Sequence, residues 1–324
     1  MKAKHRAGVE TVPNEFHLMV RQVRWEADGV VTVDLSDPNN AELPPFKPGE
    51  HIEVNLPTGI VRQYSLCGSL DDRTMYRIGV LREHRSRGGS EYIHSFLRPG
   101  QRIRVRGPIN NFDFHPSSEY IFIAGGIGIT PILPMIEAAD ATGSTWKLGY
   151  AGRSANSMAF SDHIGGYGDR VFFYPRDKLV RIPLAEWLGN PQEGVDVYAC
   201  GPESLLSAVE NHMSKWRPEA LHLERFRALE VPPKPNYEID VICTRSERLV
   251  TVRCDQSILA ALEDAGVPVS GSCKEGLCGT CETKVVDGIP DHRDSILTGQ
   301  DRSINDRMFI CVSRSRGATL TLDV

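Results

Sequence analysis

Four cysteines stand near the end of the 324-residue chain as Cys273-x4-Cys278-x2-Cys281, with Cys311 following after 29 further residues. Thiolates spaced in this way are metal ligands, and the x4, x2, distant-Cys pattern is that of a plant-type 2Fe-2S cluster. Four sulfurs must converge on two irons from one short loop, and Gly271, Gly276 and Gly279 let that loop curl until backbone N–H groups face the sulfurs. A structural zinc site is the competing assignment. Such sites usually take two CxxC-type hooks across a spacer, whereas here three ligands share one loop. Four buried apolar cysteines fit poorly with Lys274, Glu275 and Thr280 set between them. Cys67, Cys200, Cys243 and Cys254 are scattered, so the chain does not read as a disulfide framework. A cluster of this kind carries one electron at a time, and so needs a donor and an acceptor.

A second group of residues suits phosphate. In YIFIAGGIGITP, Gly125, Gly126 and Gly128 follow an apolar strand, and Thr130 and Pro131 have the character of an N-cap and first helical residue. Backbone N–H groups at such a turn, with the positive end of the helix, meet a pyrophosphate. The GxGxxG fingerprint is incomplete, because Pro131 stands where the third glycine would be. Cys200-Gly201-Pro202-Glu203 again follows an apolar strand, VDVYA, and opens a helix, which puts a second loop on the same carboxyl edge. Where an NAD site usually carries an acidic residue, the chain has Arg153 and Ser154, and farther on Arg176 and Lys178 flank Asp177. Those cations suit a 2′-phosphate.

The elements that must position these groups fall into three textures. Strand-like alternations at 30–36, 51–56, 63–66, 76–81 and 102–105, split by turns such as Lys47-Pro48-Gly49, predict an antiparallel barrel or sandwich with one short helix over 90–97. From about residue 118, apolar strands alternate with helical segments, a βαβ pattern that predicts a mainly parallel sheet. The proline-bearing stretch RALEVPPKPNY has no periodicity and reads as a linker. The expected boundaries are 1–112, 113–228, a linker over 229–237, and 238–324.

With Arg62-Gln63-Tyr64-Ser65-Leu66, the glycine turn through Pro131 and Cys200-Gly201-Pro202 in this order, the chain resembles the ferredoxin-NADP reductase superfamily. The order of its domains resembles the phthalate dioxygenase reductase family, and the resemblance covers nearly the whole chain. It implies an antiparallel β-barrel flavin domain, an α/β Rossmann-like nucleotide domain and an α+β, β-grasp ferredoxin domain. It also implies that the Arg62–Ser65 strand, Gln63 included, holds the flavin: Arg62 on phosphate, Tyr64 against the ring and Ser65 at the reactive N5 edge. Arg87-Gly88-Gly89-Ser90 resembles the family's second phosphate loop, and with no obvious adenosine-holding insertion the flavin is expected to be FMN. By the same carry-over Phe226 lies beside the flavin, where nicotinamide must enter, and Cys200 lies near the nicotinamide without being a nucleophile. The resemblance favours NADH, with which Arg153 and Ser154 are compatible.

The implied activity is a reductase of a multicomponent, Rieske-type oxygenase or demethylase of aromatic catabolism, carrying electrons from NADH through FMN and the 2Fe-2S cluster to a terminal oxygenase. A FAD-containing NAD(P)H reductase of a non-Rieske oxygenase is the alternative, and a non-catalytic zinc-binding or sensing protein a further one. Composition agrees with a folded, water-soluble chain: 40% hydrophobic and 24% charged residues. A net charge of −5 gives no basic footprint for nucleic acid. No apolar run approaches a membrane span, and the basic start lacks the apolar region of a signal peptide, so a cytoplasmic protein away from membranes is expected. Monomer is the expectation from the resemblance. Residues 236–324 alone carry −4, which suits docking on a basic surface.

Overall fold

The computed structural model describes residues 14–83, 86–178, 181–229, 234–297 and 299–324. The basic start and the middle of the expected 229–237 linker lie outside the described residues. Two compact units form, one of 14–116 with 130–143 and the other of 117–129 with 144–324.

The first unit is an antiparallel sheet of β1 (Glu15–Ala27), β2 (Val30–Ser36), β3 (Glu50–Asn55), β4 (Val61–Ser65), β5 (Tyr76–Leu81) and, after helix α1 (Gly89–Ser95), β6 (Arg102–Asn110). The strand order is β4-β3-β6-β1-β2-β5, and the two edges meet through an isolated bridge between Leu66 and Ile78, so the sheet curls into the expected barrel. Its core holds Leu18, Val33, Leu35, Ile52, Leu66, Ile78 and Val105. β1 is absent from the expected strands. Its pairing with β2 slips between Val20 and Gln22 and between Trp25 and Ala27, and each bulge breaks the period of two that marks a strand in sequence. Across β2 and β5, Arg77 donates twice to the buried Asp34, at 2.7 and 2.9 Å.

In the second unit, β7 (Glu119–Gly125), β8 (Thr145–Gly152), β9 (Val171–Pro175), β10 (Val195–Cys200) and β11 (Leu221–Glu224) form a parallel sheet in the order β11-β10-β7-β8-β9. Between them run α2 (Ile129–Ala141), α3 (Ser161–Gly165), α4 (Leu184–Leu188) and α5 (Glu203–His212). Ile121, Ile123, Val197 and Ala199 are fully buried, which is why these strands read as apolar runs instead of alternations. Most of α2 groups with the first unit, where the Glu137 carboxylate accepts from the Ser69 hydroxyl and the Leu70 amide.

The remaining elements are β12 (Ile239–Cys243), β13 (Arg248–Val252), α6 (Ile258–Asp264), β14 (Glu282–Asp287), β15 (Pro290–Asp291), α7 (Gly299–Ile304), β16 (Arg307–Phe309), β17 (Arg314–Ser315) and β18 (Thr319–Leu322). A mixed sheet, β13-β12-β18-β14-β16, takes α6 onto a core of Val241, Val252, Leu262, Met308, Leu320 and Leu322. Ser257 caps α6 by accepting from the Ala260 amide. The chain is thus multi-domain, as expected: a flavin-type barrel, a Rossmann-like α/β sheet and an α+β ferredoxin fold. No helix among the described residues is long and apolar enough to cross a membrane.

Removing Arg77 leaves the Asp34 carboxylate buried without its cation. Arg77→Ala is therefore expected to destabilise the barrel by about 2 kcal/mol, less than for a fully enclosed pair because Arg77 is partly exposed. Chemical denaturation checks this, with Asp34→Asn/Arg77→Ala recovering part of the loss.

Candidate functional site

In the barrel, alternation along β4 puts Arg62 and Tyr64 on one face and Gln63 and Ser65 on the other. Arg62 donates to the Arg87 carbonyl at 3.1 Å, and a Cβ on Gly89 would lie 2.6 Å from the Arg62 side chain. The two segments expected to share a phosphate thus meet, and a bare glycine makes the approach possible. Burial pushes the Tyr64 phenol well above its usual range, so Tyr64 presents a neutral ring. Gln63 turns away and donates to Glu53, a buried carboxylate that also accepts from Arg106. Ser90 is buried, accepting from the Glu83 amide and donating to the Ser86 hydroxyl. Ser86, which the sequence reading passed over, accepts from the amides of Gly88 and Glu91 and so shapes the loop. The visible signal was a serine at capping distance from Gly-Gly.

At the carboxyl edge of the parallel sheet, β7 ends in a tight turn over Gly126–Gly128 that runs straight into α2. This corrects the expected helix start. Gly125, in extended conformation, takes the cap position, while Thr130 and Pro131 fall inside the first turn and the Thr130 side chain is buried. A Cβ on Gly128 would sit 2.3 Å from the Cys200 carbonyl oxygen, and one on Gly201 would sit 3.0 Å from the Gly125 Cα. The glycines therefore pack the two loops against each other, and the space above Gly126 stays open. Next along the edge, the Asp177 amide donates to the Arg153 carbonyl, which brings the Arg153–Ser154 turn beside the Arg176–Lys178 turn.

Cys200 ends β10, and its thiol donates to the Glu224 carboxyl at the end of β11, 3.9 Å away. Burial raises the Cys200 thiol and pushes Glu224 up to about 8, so both are neutral at pH 7. The Glu224 side chain has a part here that sequence reasoning did not give it, although it stands only two residues before Phe226. Phe226 is 39% exposed just beyond it.

In the ferredoxin fold, the Cys273 sulfur lies within hydrogen-bond reach of Cys278 and of Cys311, and Cys281 within reach of Cys311. Backbone amides of Glu275, Leu277 and Cys278 point at the Cys273 sulfur, the donor set that stabilises a thiolate. Gly276 is forced: it has φ 68°, and a Cβ there would lie 3.0 Å from the Asp294 Cα. No set of three or more His, Cys, Asp or Glu side chains among the described residues is arranged to hold a single metal ion. The sulfurs string out as 278, 273, 311 and 281, each within hydrogen-bond reach of the next.

The fold and these sites define a modular redox protein in which a nucleotide-binding sheet precedes an iron-sulfur domain. Residues 241–316 match the family of 2Fe-2S iron-sulfur cluster binding domains. That match overturns the zinc alternative. A phenoxybenzoate dioxygenase subunit beta from Ectopseudomonas oleovorans is 41% identical over 95% of this chain and 97% of its own length. The structure of phthalate dioxygenase reductase, described as modular for electron transfer from pyridine nucleotides to [2Fe-2S], matches 96% of this chain and 98% of that one, with TM-score 0.71 and 31% identity. An intact type IV self-sufficient cytochrome P450 monooxygenase matches 99% of this chain with TM-score 0.89 and 39% identity, and this chain spans 43% of that one. The chain belongs to the phthalate dioxygenase reductase family of oxygenase reductases.

Glu224 gives these strand ends a pH signature. Its folded carboxyl ionises near 8 against an ordinary 4.5, so its contribution to stability is complete below about pH 4.5 and is lost as pH climbs through about 8. Glu224→Gln is expected to keep its thermal midpoint across that range while the native chain's falls. Parallel curves for the two proteins would contradict the assignment.

Proposed function

We propose that the chain is the reductase component of a multicomponent oxygenase or demethylase of aromatic catabolism, moving electrons from NADH through FMN and a 2Fe-2S cluster to the Rieske centre of a separate terminal oxygenase. The observation that carries this reading is the presence in one polypeptide of an Arg62–Gly89 cradle, a paired-glycine strand edge and a three-cysteine loop met by a distant fourth sulfur. Bound FMN would take two electrons together and release them one at a time, which matches a two-electron donor to a one-electron cluster.

In this reading Arg62, with the amides of Gly88 and Gly89, holds the flavin phosphate, Tyr64 covers the ring, and Ser65 stands at its N5 edge. Arg87, Gln63 and Ser90 shape the cradle: Arg87 through its carbonyl to Arg62, Gln63 through Glu53, and Ser90 through Ser86. Gly125, Gly126, Gly128, Thr130, Pro131, Gly201 and Pro202 form the pyrophosphate turn, and Arg153 and Ser154 meet the ribose. Cys200 and Phe226 border the nicotinamide. A thiol held protonated is no nucleophile, and a neutral Glu224 puts no anion at the strand ends. Cys273 with Cys278, and Cys281 with Cys311, hold the cluster.

The proposed domain bounds are 1–112, 113–228, a 229–237 linker, and 238–324. The protein is read as a cytoplasmic monomer that binds neither nucleic acid nor membrane. A second acceptor class, a cytochrome P450, is favoured by the likeness to the self-sufficient cytochrome P450 monooxygenase. Separate reconstitution with a Rieske oxygenase and with a P450 haem domain decides between them.

Anaerobic titration of the purified protein with NADH is expected to bleach flavin and cluster together and to consume three electrons per chain. Analysis of the released flavin should give FMN, and kcat/KM should favour NADH over NADPH. A chain that lacks both chromophores after reconstitution would end this reading. Coupled turnover is also expected to fall steeply as ionic strength rises, because the cluster-bearing segment is acidic.

A further inference from the structure

The last ordered element before Phe226 is fastened twice. Glu224 ends β11 against Cys200. The next residue, Arg225, reaches α5, donating to both Glu203 oxygens at 3.0 and 3.4 Å and to Glu210 at 2.7 Å. The two carboxylates are seven residues, two helical turns, apart and share one face of α5. The Arg225 side chain is only 13% exposed although both its partners are more than 40% exposed, so the guanidinium is the enclosed member of the triad. The Ser207 hydroxyl donates to Glu203 and fixes it further. Beyond Arg225 the chain has neither helix nor strand through residue 229.

Glu203 is also the first residue of α5, directly after Cys200-Gly201-Pro202. One ion-pair triad therefore joins the helix that opens from a nucleotide loop to the backbone from which Phe226 projects. A planar fork with several donors can hold two carboxylates at once, which a lysine ammonium does less rigidly. We propose that Arg225 is a positioning residue for the reductase reaction. Its clamp on Glu203 and Glu210 sets where Phe226 leaves β11, and so sets how the ring yields to the nicotinamide. This rests on the reading of Phe226 as the residue bordering the nicotinamide.

The test uses the intact chain with Arg225→Gln, Arg225→Lys, Glu210→Gln, Phe226→Ala and the double variant Arg225→Gln/Phe226→Ala. Hydrogen exchange should quicken about tenfold at amides 225–229 in Arg225→Gln, less in Arg225→Lys and Glu210→Gln, with β7 and β10 unchanged. A uniform increase over the sheet, or none at 225–229, overturns the proposal. In rapid mixing with NADH, Arg225→Gln should slow flavin reduction about tenfold in the native background but less than about twofold once Phe226 is alanine. Equal slowing in both backgrounds would mean that Arg225 acts only by supporting the fold, and that also overturns it. If Phe226→Ala reduces at the native rate while Arg225→Gln is slow, the reading of Phe226 fails and the proposal with it. If Arg225→Gln does not fold, Glu210→Gln alone and with Phe226→Ala carries the same comparison. A native chain whose flavin NADH leaves oxidised would overturn the function and, with it, the role given to Arg225.

Discussion

Two backbone turns at the carboxyl edge of the parallel sheet approach more closely than any side chain would permit. A single methyl on Gly128 would overlap the Cys200 carbonyl, and one on Gly125 would meet the Pro202 ring at 2.6 Å. Because β7 and β10 are neighbours in register, with Ala124 beside Cys200, their terminal turns must share this space. The consequences spread outward. α2 starts without a conventional cap, Cys200 is sealed beneath the crossing, and Glu224 is held neutral beside it. The chain leaving β11 is then delivered to α5, where Arg225 is enclosed. Glycine serves tertiary packing here before it serves any ligand, and the same packing leaves the turn above Gly126 open.

The barrel and the cluster loop solve a similar problem with different chemistry. In the barrel, Arg62 packs against Gly89 and anchors on the Arg87 carbonyl, so a cation is prepositioned there. Ser86 satisfies the amides that a sharp loop would otherwise strand. In the ferredoxin fold, amides face the Cys273 sulfur, and the strap through Asp294 closes over Gly276, the Ser295 amide donating to the Gly276 carbonyl. Backbone groups, more than charged side chains, shape both sites, and this suits bound groups that carry their own charge.

The same strap reaches the chain that follows Phe226, where the Leu229 amide donates to the Ser295 hydroxyl. Farther on, Lys234 pairs with Asp291, and Asn236 bonds with Arg293 and the Cys254 carbonyl. The described parts of the expected linker are thus fastened to the ferredoxin fold by polar contacts instead of trailing as a free tether. Between residues 225 and 229 the chain passes from the grip of α5 to that of the strap.

The sequence by itself determined the four-cysteine spacing of a 2Fe-2S domain, the parallel sheet and the two glycine turns. Each is written in local spacing: cysteines at x4 and x2, apolar runs before glycine, turns at Lys47-Pro48-Gly49. It also carried the family resemblance, which the similarity to known reductases bears out. It did not reveal β1, because two bulges erase the alternation, or the start of α2, because a cap is chosen by what the preceding turn must avoid. Nor could it assign Glu53 to Gln63, Glu224 to Cys200 or Arg225 to its two carboxylates. Those partners, separated by up to 24 residues, are brought together by strand register and helix face. Local spacing fixes what a segment can do, and only the close approach of distant segments decides which charges are buried and which rings are held.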